Sequence, residues 1–183
     1  MNVLFDLDGT LTNPREGIVA CLKYALTEMG HSCPSDSELE QFIGPPLHES
    51  LAILLGSADA KQINAAIKPF RQRFSTQGMF ENTLYPGIDS ALTTRRGRGA
   101  VLFVATSKPQ RFAERIVEHF GLKDYFRAVY GSELDGTRSD KSNLIEHILK
   151  AESLSSQSTF MVGDRAHDIV GAKTHGVFSI GVL

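Results

Sequence analysis

Residues 3–11 read Val3-Leu4-Phe5-Asp6-Leu7-Asp8-Gly9-Thr10-Leu11, and the fold turns on how they are interpreted. An apolar run of strand character stops at one carboxylate, and a second carboxylate comes two positions later, ahead of a glycine and a hydroxyl residue. At the carboxyl end of a buried strand, Asp6 and Asp8 would project into a crevice where backbone N–H groups of the turn at Gly9 can hold an anion. Neighbouring carboxylates also offer a place for a hard dication and a nucleophile. Asp-Gly between apolar residues is equally a hairpin signal. The next residues argue against a hairpin: Asn13-Pro14-Arg15-Glu16 reads as a helix start, with Asn13 as N-cap, Pro14 at the first helical position and Glu16 in the first turn. An EF-hand loop fails too, because its sixth position must be Gly and its twelfth an acid, whereas counting from Asp6 the fourth residue is Gly9 and the twelfth Gly17.

The chain of 183 residues can form one good core, or a core carrying a small insertion. Its 19 basic and 21 acidic side chains leave a net charge of -2, which suggests neither a nucleic-acid binder nor a basic membrane-surface protein. Cys21 and Cys33 lack the spacing and partners of a zinc site, which suggests a reduced, cytoplasmic setting. No basic stretch leads into an apolar signal segment, and no run approaches the roughly 18 apolar residues of a membrane span.

Helical periodicity fills the chain from about Pro14 to Gln77. Ile18, Leu22, Ala25, Leu26 and Met29 form one stripe, Leu39, Phe42 and Ile43 a second, and Leu47, Leu51, Leu54 and Leu55 a third. A fourth, Ile63, Ala66, Ile67, Phe70 and Phe74, contains Pro69, which is expected to kink or interrupt its helix. From Tyr85 onward short apolar runs alternate with helices, and 101–105, 128–130, 159–162 and 177–183 read as strands. With the opening strand these predict an α/β protein, a Rossmann-like doubly wound parallel sheet of residues 1–13 and 81–183, with an all-helical insertion over 14–80. A helix bearing Ile88, Ala91 and Leu92 calls for an apolar residue at position 95, where Arg95 stands; that arginine is expected to snorkel and weaken the core.

Ligands of such sheets lie beyond the carboxyl ends of the strands. Asp6 comes after the first run, Thr106-Ser107 after the second and Gly163-Asp164 after the fourth, so polar groups converge on one edge. Asp164 could simply cap the adjoining helix, with Asp168 one turn along. Together with Asp6 and Asp8 they would repel one another unless a cation or lysine sits among them. Lys141, opening the helix before the fourth strand, is one candidate, and Lys108 is its rival.

With FDLDGTL, VATSKP and MVGDRAHDIVGA in this order, the sequence resembles the haloacid dehalogenase-like (HAD) hydrolase superfamily, in the branch of phosphoglycolate phosphatases and 5'-nucleotidases. The resemblance implies a phosphomonoester hydrolase in which Asp6 accepts the phosphoryl group and Asp8 acts as acid and then base. It implies magnesium on Asp6, the Asp8 backbone carbonyl and Asp164, with Asp168 one layer behind. Phosphoryl oxygens would be held by Asp8 and Gly9 in the turn, by Thr106, by the Ser107 N–H and by Lys141, and the helical insertion would be the mobile cap. The partner implied is a small phosphorylated metabolite, with no nucleic acid or membrane, for a monomer or homodimer. Relatives usually continue past the fifth strand, so an end at Leu183 raises the expectation of an impaired, truncated relative. A sugar-phosphate mutase shares the core motifs. A signalling receiver domain is disfavoured because its acceptor Asp lies after an internal strand and it has no early insertion.

Overall fold

The computed structural model describes residues 1–182. The chain divides into two compact units, Met1–Asn13 with Leu84 onward, and Pro14–Thr83. In the first unit β1 (Asn2–Phe5), β2 (Val101–Pro109), β3 (Ala128–Ser132), β4 (Thr159–Gly163) and β5 (Phe178–Gly181) form one sheet in the order β3-β2-β1-β4-β5. All four pairings are parallel, and Leu4 of β1 lies opposite Phe103 of β2 and Met161 of β4. These central strands are continuous apolar runs because helices cover both faces. The expected fifth strand, 177–183, is present as 178–181; Leu183 lies outside the described residues.

The second unit is helical: α1 (Arg15–Glu28), α2 (Asp36–Leu39) running into a 3₁₀ turn at Glu40–Phe42, α3 (Leu47–Leu55) and α4 (Ala60–Arg73). One local expectation is corrected. Pro14, not Asn13, is the capping residue of α1, which starts one position late at Arg15. Pro69 sits inside α4 without interrupting it. An interior proline costs about 3 kcal/mol, but burial of Ile63, Ala66, Ile67 and Phe70 on the same helix holds the turns on either side. The irregularity falls later, in a π turn at Phe74–Gly78. There α1 passes so close that a Cβ on Gly17 would overlap the Gly78 carbonyl and one on Gly78 would overlap the Cys21 sulfur.

The core unit also carries α5 (Ile88–Gly97), α6 (Gln110–His119), α7 (Lys141–Ala151) and α8 (Ala166–Thr174). Leu144, Ile145 and Ile148 of α7 and Ala172 of α8 pack on Leu4, Phe103, Ala105 and Met161, forming the central apolar cluster. α6 packs on β2 and β3 and buries Phe112, Ala113, Ile116 and Val117. α5 buries only Leu92, and Arg95 is exposed, as expected of a side chain that snorkels. An apolar stripe is required only of a helix that packs along its length. Among the described residues no helix is long and apolar enough to cross a membrane.

Candidate active site

β1, β2 and β4 lie side by side and parallel, so their carboxyl ends share one edge, next to the point where the chain switches from one side of β1 to the other. Asp6 continues the ladder one residue past β1, its N–H donating to the Val162 carbonyl at 2.9 Å. Its side chain is buried, and Oδ1 accepts from the Leu7 N–H at 2.8 Å. Lys141, the first residue of α7, is only 2% exposed. Its ammonium sits 3.1 Å from Asp6 Oδ1, 2.8 Å from Asp168 Oδ1, and donates to the Ala105 carbonyl at 2.8 Å. The ammonium is thus ion-paired with two carboxylates and hydrogen-bonded to one carbonyl. Burial pulls the lysine downward, but Asp6 and Asp168 outweigh it and leave its pKa raised, so it remains an ammonium. Asp168 is held from the other side, its Oδ2 accepting from the Arg165 N–H at 3.1 Å. The reading of Asp164 as a simple helix cap is thereby set aside: Arg165 is the capping residue of α8, and Asp168 satisfies its N–H.

Asp8 faces a different environment. Its Oδ2 lies 2.5 Å from the Lys108 ammonium, and its buried Oδ1 has no hydrogen-bond partner among the described residues. Burial pushes the Asp8 carboxyl up, Lys108 opposes this, and the charges of Asp6 and Asp164 reinforce it. The turn after Asp8 closes through Gly9 N–H to Thr12 O at 2.8 Å, and the Thr10 hydroxyl donates to Asp164 Oδ1 at 3.2 Å. Arg165 Nε lies 3.0 Å from Asp164 Oδ2. Gly9 has φ +82°, and a Cβ there would overlap the Asp164 carboxylate. Gly9→Ala is therefore expected to cost about 1–3 kcal/mol in stability and to displace Asp164; thermal melting of the metal-free protein checks the first and its magnesium affinity the second.

β2 runs four residues beyond its expected end, with a register irregularity between Ala105 and Pro109, so Thr106 and Ser107 belong to the strand itself. Thr106 is buried, its hydroxyl accepting from the Lys108 N–H at 3.3 Å, and the Ser107 carbonyl accepts from the Ser132 hydroxyl at 2.9 Å. Every residue singled out in the sequence, Asp6, Asp8, Gly9, Thr106, Ser107, Lys141, Asp164 and Asp168, lies at this edge of one unit. The two rival lysines are both there: Lys141 between Asp6 and Asp168, Lys108 on Asp8. The contact of Thr10 with Asp164, and the division of the acids between both lysines, were not anticipated. For Lys108 the available signal was strand alternation, which puts positions 106 and 108 on one face. Ligand oxygens of Asp6, Asp164 and Asp168 fall within 4.8 Å of one another. Such a hard, all-oxygen set beside the unpartnered Asp8 Oδ1 fits magnesium.

A family model described as haloacid dehalogenase-like hydrolase matches residues 3–182. The 5'-nucleotidase of Pseudomonas aeruginosa is 47% identical over 181 residues, 99% of this chain and 81% of that protein. Tyrosine-protein kinase PtkA of Mycobacterium tuberculosis is 37% identical over 180 residues, 98% of this chain and 61% of that protein. A crystal structure of a predicted phosphatase from Clostridium acetobutylicum superposes with a TM-score of 0.93 at 41% identity, covering 98% of this chain and 83% of that one.

Proposed function

The chain belongs to the haloacid dehalogenase-like hydrolase family, and on that footing we propose that it is a magnesium-dependent phosphomonoester hydrolase working through an aspartyl phosphate on Asp6. The observation that carries this is the contrast between two carboxyls at one strand end. Asp6 takes the Lys141 ammonium and a backbone N–H on one oxygen, Oδ1, whereas Asp8 takes the Lys108 ammonium on Oδ2 and leaves its buried Oδ1 without a hydrogen-bond partner among the described residues. Two acids in opposed environments are suited to opposite roles.

In the first step an Asp6 carboxylate oxygen attacks phosphorus, the bond from phosphorus to the leaving oxygen breaks, and Asp8 gives that oxygen its proton. In the second, Asp8 takes a proton from water as the water oxygen bonds to phosphorus. The aspartyl–phosphorus bond then breaks, restoring the Asp6 carboxylate and releasing phosphate. Thr106, the Ser107 N–H, the turn at Gly9 and Lys141 are assigned to the phosphoryl oxygens, which is most of what phosphoryl transfer asks of a protein. Magnesium, held by Asp6, the Asp8 carbonyl and Asp164 with Asp168 behind them, would supply neutralisation of phosphoryl charge when bound.

The substrate is a small phosphorylated metabolite, a nucleoside 5'-monophosphate or phosphoglycolate. Likeness to the Pseudomonas aeruginosa 5'-nucleotidase supports the former. The test is phosphate release across nucleoside 5'-monophosphates, phosphoglycolate and sugar phosphates, with magnesium and with a chelator in its place. Release that requires magnesium is expected. A folded protein that releases none, or that isomerises a sugar phosphate instead, would overturn the reading.

A further inference from the structure

Lys108 is built into its position more firmly than a surface lysine would be. Its N–H donates to the Thr106 hydroxyl, the carbonyl before it accepts from Ser132, and a Cβ on Gly131 would lie 2.5 Å from the Lys108 carbonyl. Three neighbouring points of backbone are thus pinned. From this base the side chain, 7% exposed, reaches Asp8, 10% exposed, and its ammonium takes Oδ2 at 2.5 Å. Asp8 Oδ1 stays buried with no partner among the described residues. An unpaired buried oxygen is unfavourable, and with Oδ2 held by the ammonium, Oδ1 is the Asp8 oxygen left to take a further partner.

We propose that Lys108 is a positioning residue that holds Asp8 by Oδ2 and so makes Oδ1 the oxygen through which Asp8 gives and takes its proton. This rests on the phosphatase reading. An alkoxide leaving group requires the proton from Asp8, whereas p-nitrophenolate departs without one. Loss of Lys108 therefore separates the two kinds of substrate, while general damage to the site slows both.

The experiment uses Lys108→Gln and Lys108→Arg with adenosine 5'-monophosphate and p-nitrophenyl phosphate. Lys108→Gln is expected to lower kcat on the nucleotide by about 10- to 100-fold, part of the 10²–10⁴-fold that a placed acid supplies. The first-turnover burst of nitrophenolate is expected to be unchanged, and Lys108→Arg to recover most of the loss. In the metal-free protein, melting temperatures of Lys108→Gln, Asp8→Asn and the double variant are expected to be non-additive, because the side chains are in contact. Equal losses on both substrates, or additive melting shifts, overturn the proposal. Absence of turnover by the unsubstituted protein would overturn the phosphatase reading instead, and the melting cycle would still judge the Lys108–Asp8 contact.

Discussion

Asp6→Asn is expected to reduce phosphate release by about 10⁴-fold or more, the scale on which loss of a nucleophile acts in enzymes with covalent intermediates. Asparagine keeps the shape and the oxygen that accepts from the Leu7 N–H, but its amide is no nucleophile. Stability should change little. Lys141 retains Asp168 and the Ala105 carbonyl, and removal of one charge relieves the repulsion that Asp6 exerts on Asp8. Steady-state release with magnesium, alongside a thermal melt, distinguishes loss of chemistry from loss of fold. Turnover within tenfold of the unsubstituted protein would remove Asp6 from its assigned role.

Lys141→Met is expected to have the largest effect on the folded protein. The ammonium is the common partner of Asp6 and Asp168, and both carboxylates are buried. Breaking a buried ion pair by removing one member costs about 3–5 kcal/mol, since the charges left behind have neither water nor a counterion. For a chain of this size that corresponds to a fall in melting temperature of roughly 6–20 °C. Pairing the change with Asp168→Asn removes one stranded charge and should recover part of the loss. Phosphate release should stay low in the double variant, because the phosphoryl group still lacks its ammonium. An unshifted melt for Lys141→Met would contradict the buried cluster.

The strand ends were legible because a strand buried on both faces reads as an unbroken apolar run, and parallel strands end on the same edge. Asp6, Thr106 and Asp164 could thus be placed together without a structure. Lys141 and Lys108 could be named only as rivals. A lysine stem is long and flexible, and its target depends on contacts remote in sequence, here Asp168 for one and Asp8 for the other. The extension of β2 to Pro109, which carries Lys108 into the site, depends on pairing with β3 and its shifted register. Whether α4 would continue through Pro69, and how little of α5 would be buried beside Arg95, were illegible for a related reason. Local rules treat every helix alike, whereas α4 is held by the packing of its neighbours and α5 buries a single leucine.

The most direct measurement is a single turnover of adenosine 5'-monophosphate with magnesium, quenched in acid and read by peptide mass spectrometry. A transient phosphoryl group is expected on the peptide that carries Asp6, and is expected to be absent from Asp6→Asn. Phosphate released at the full rate with no phosphoryl peptide, or a phosphoryl group on a peptide without Asp6, would contradict the aspartyl-phosphate mechanism.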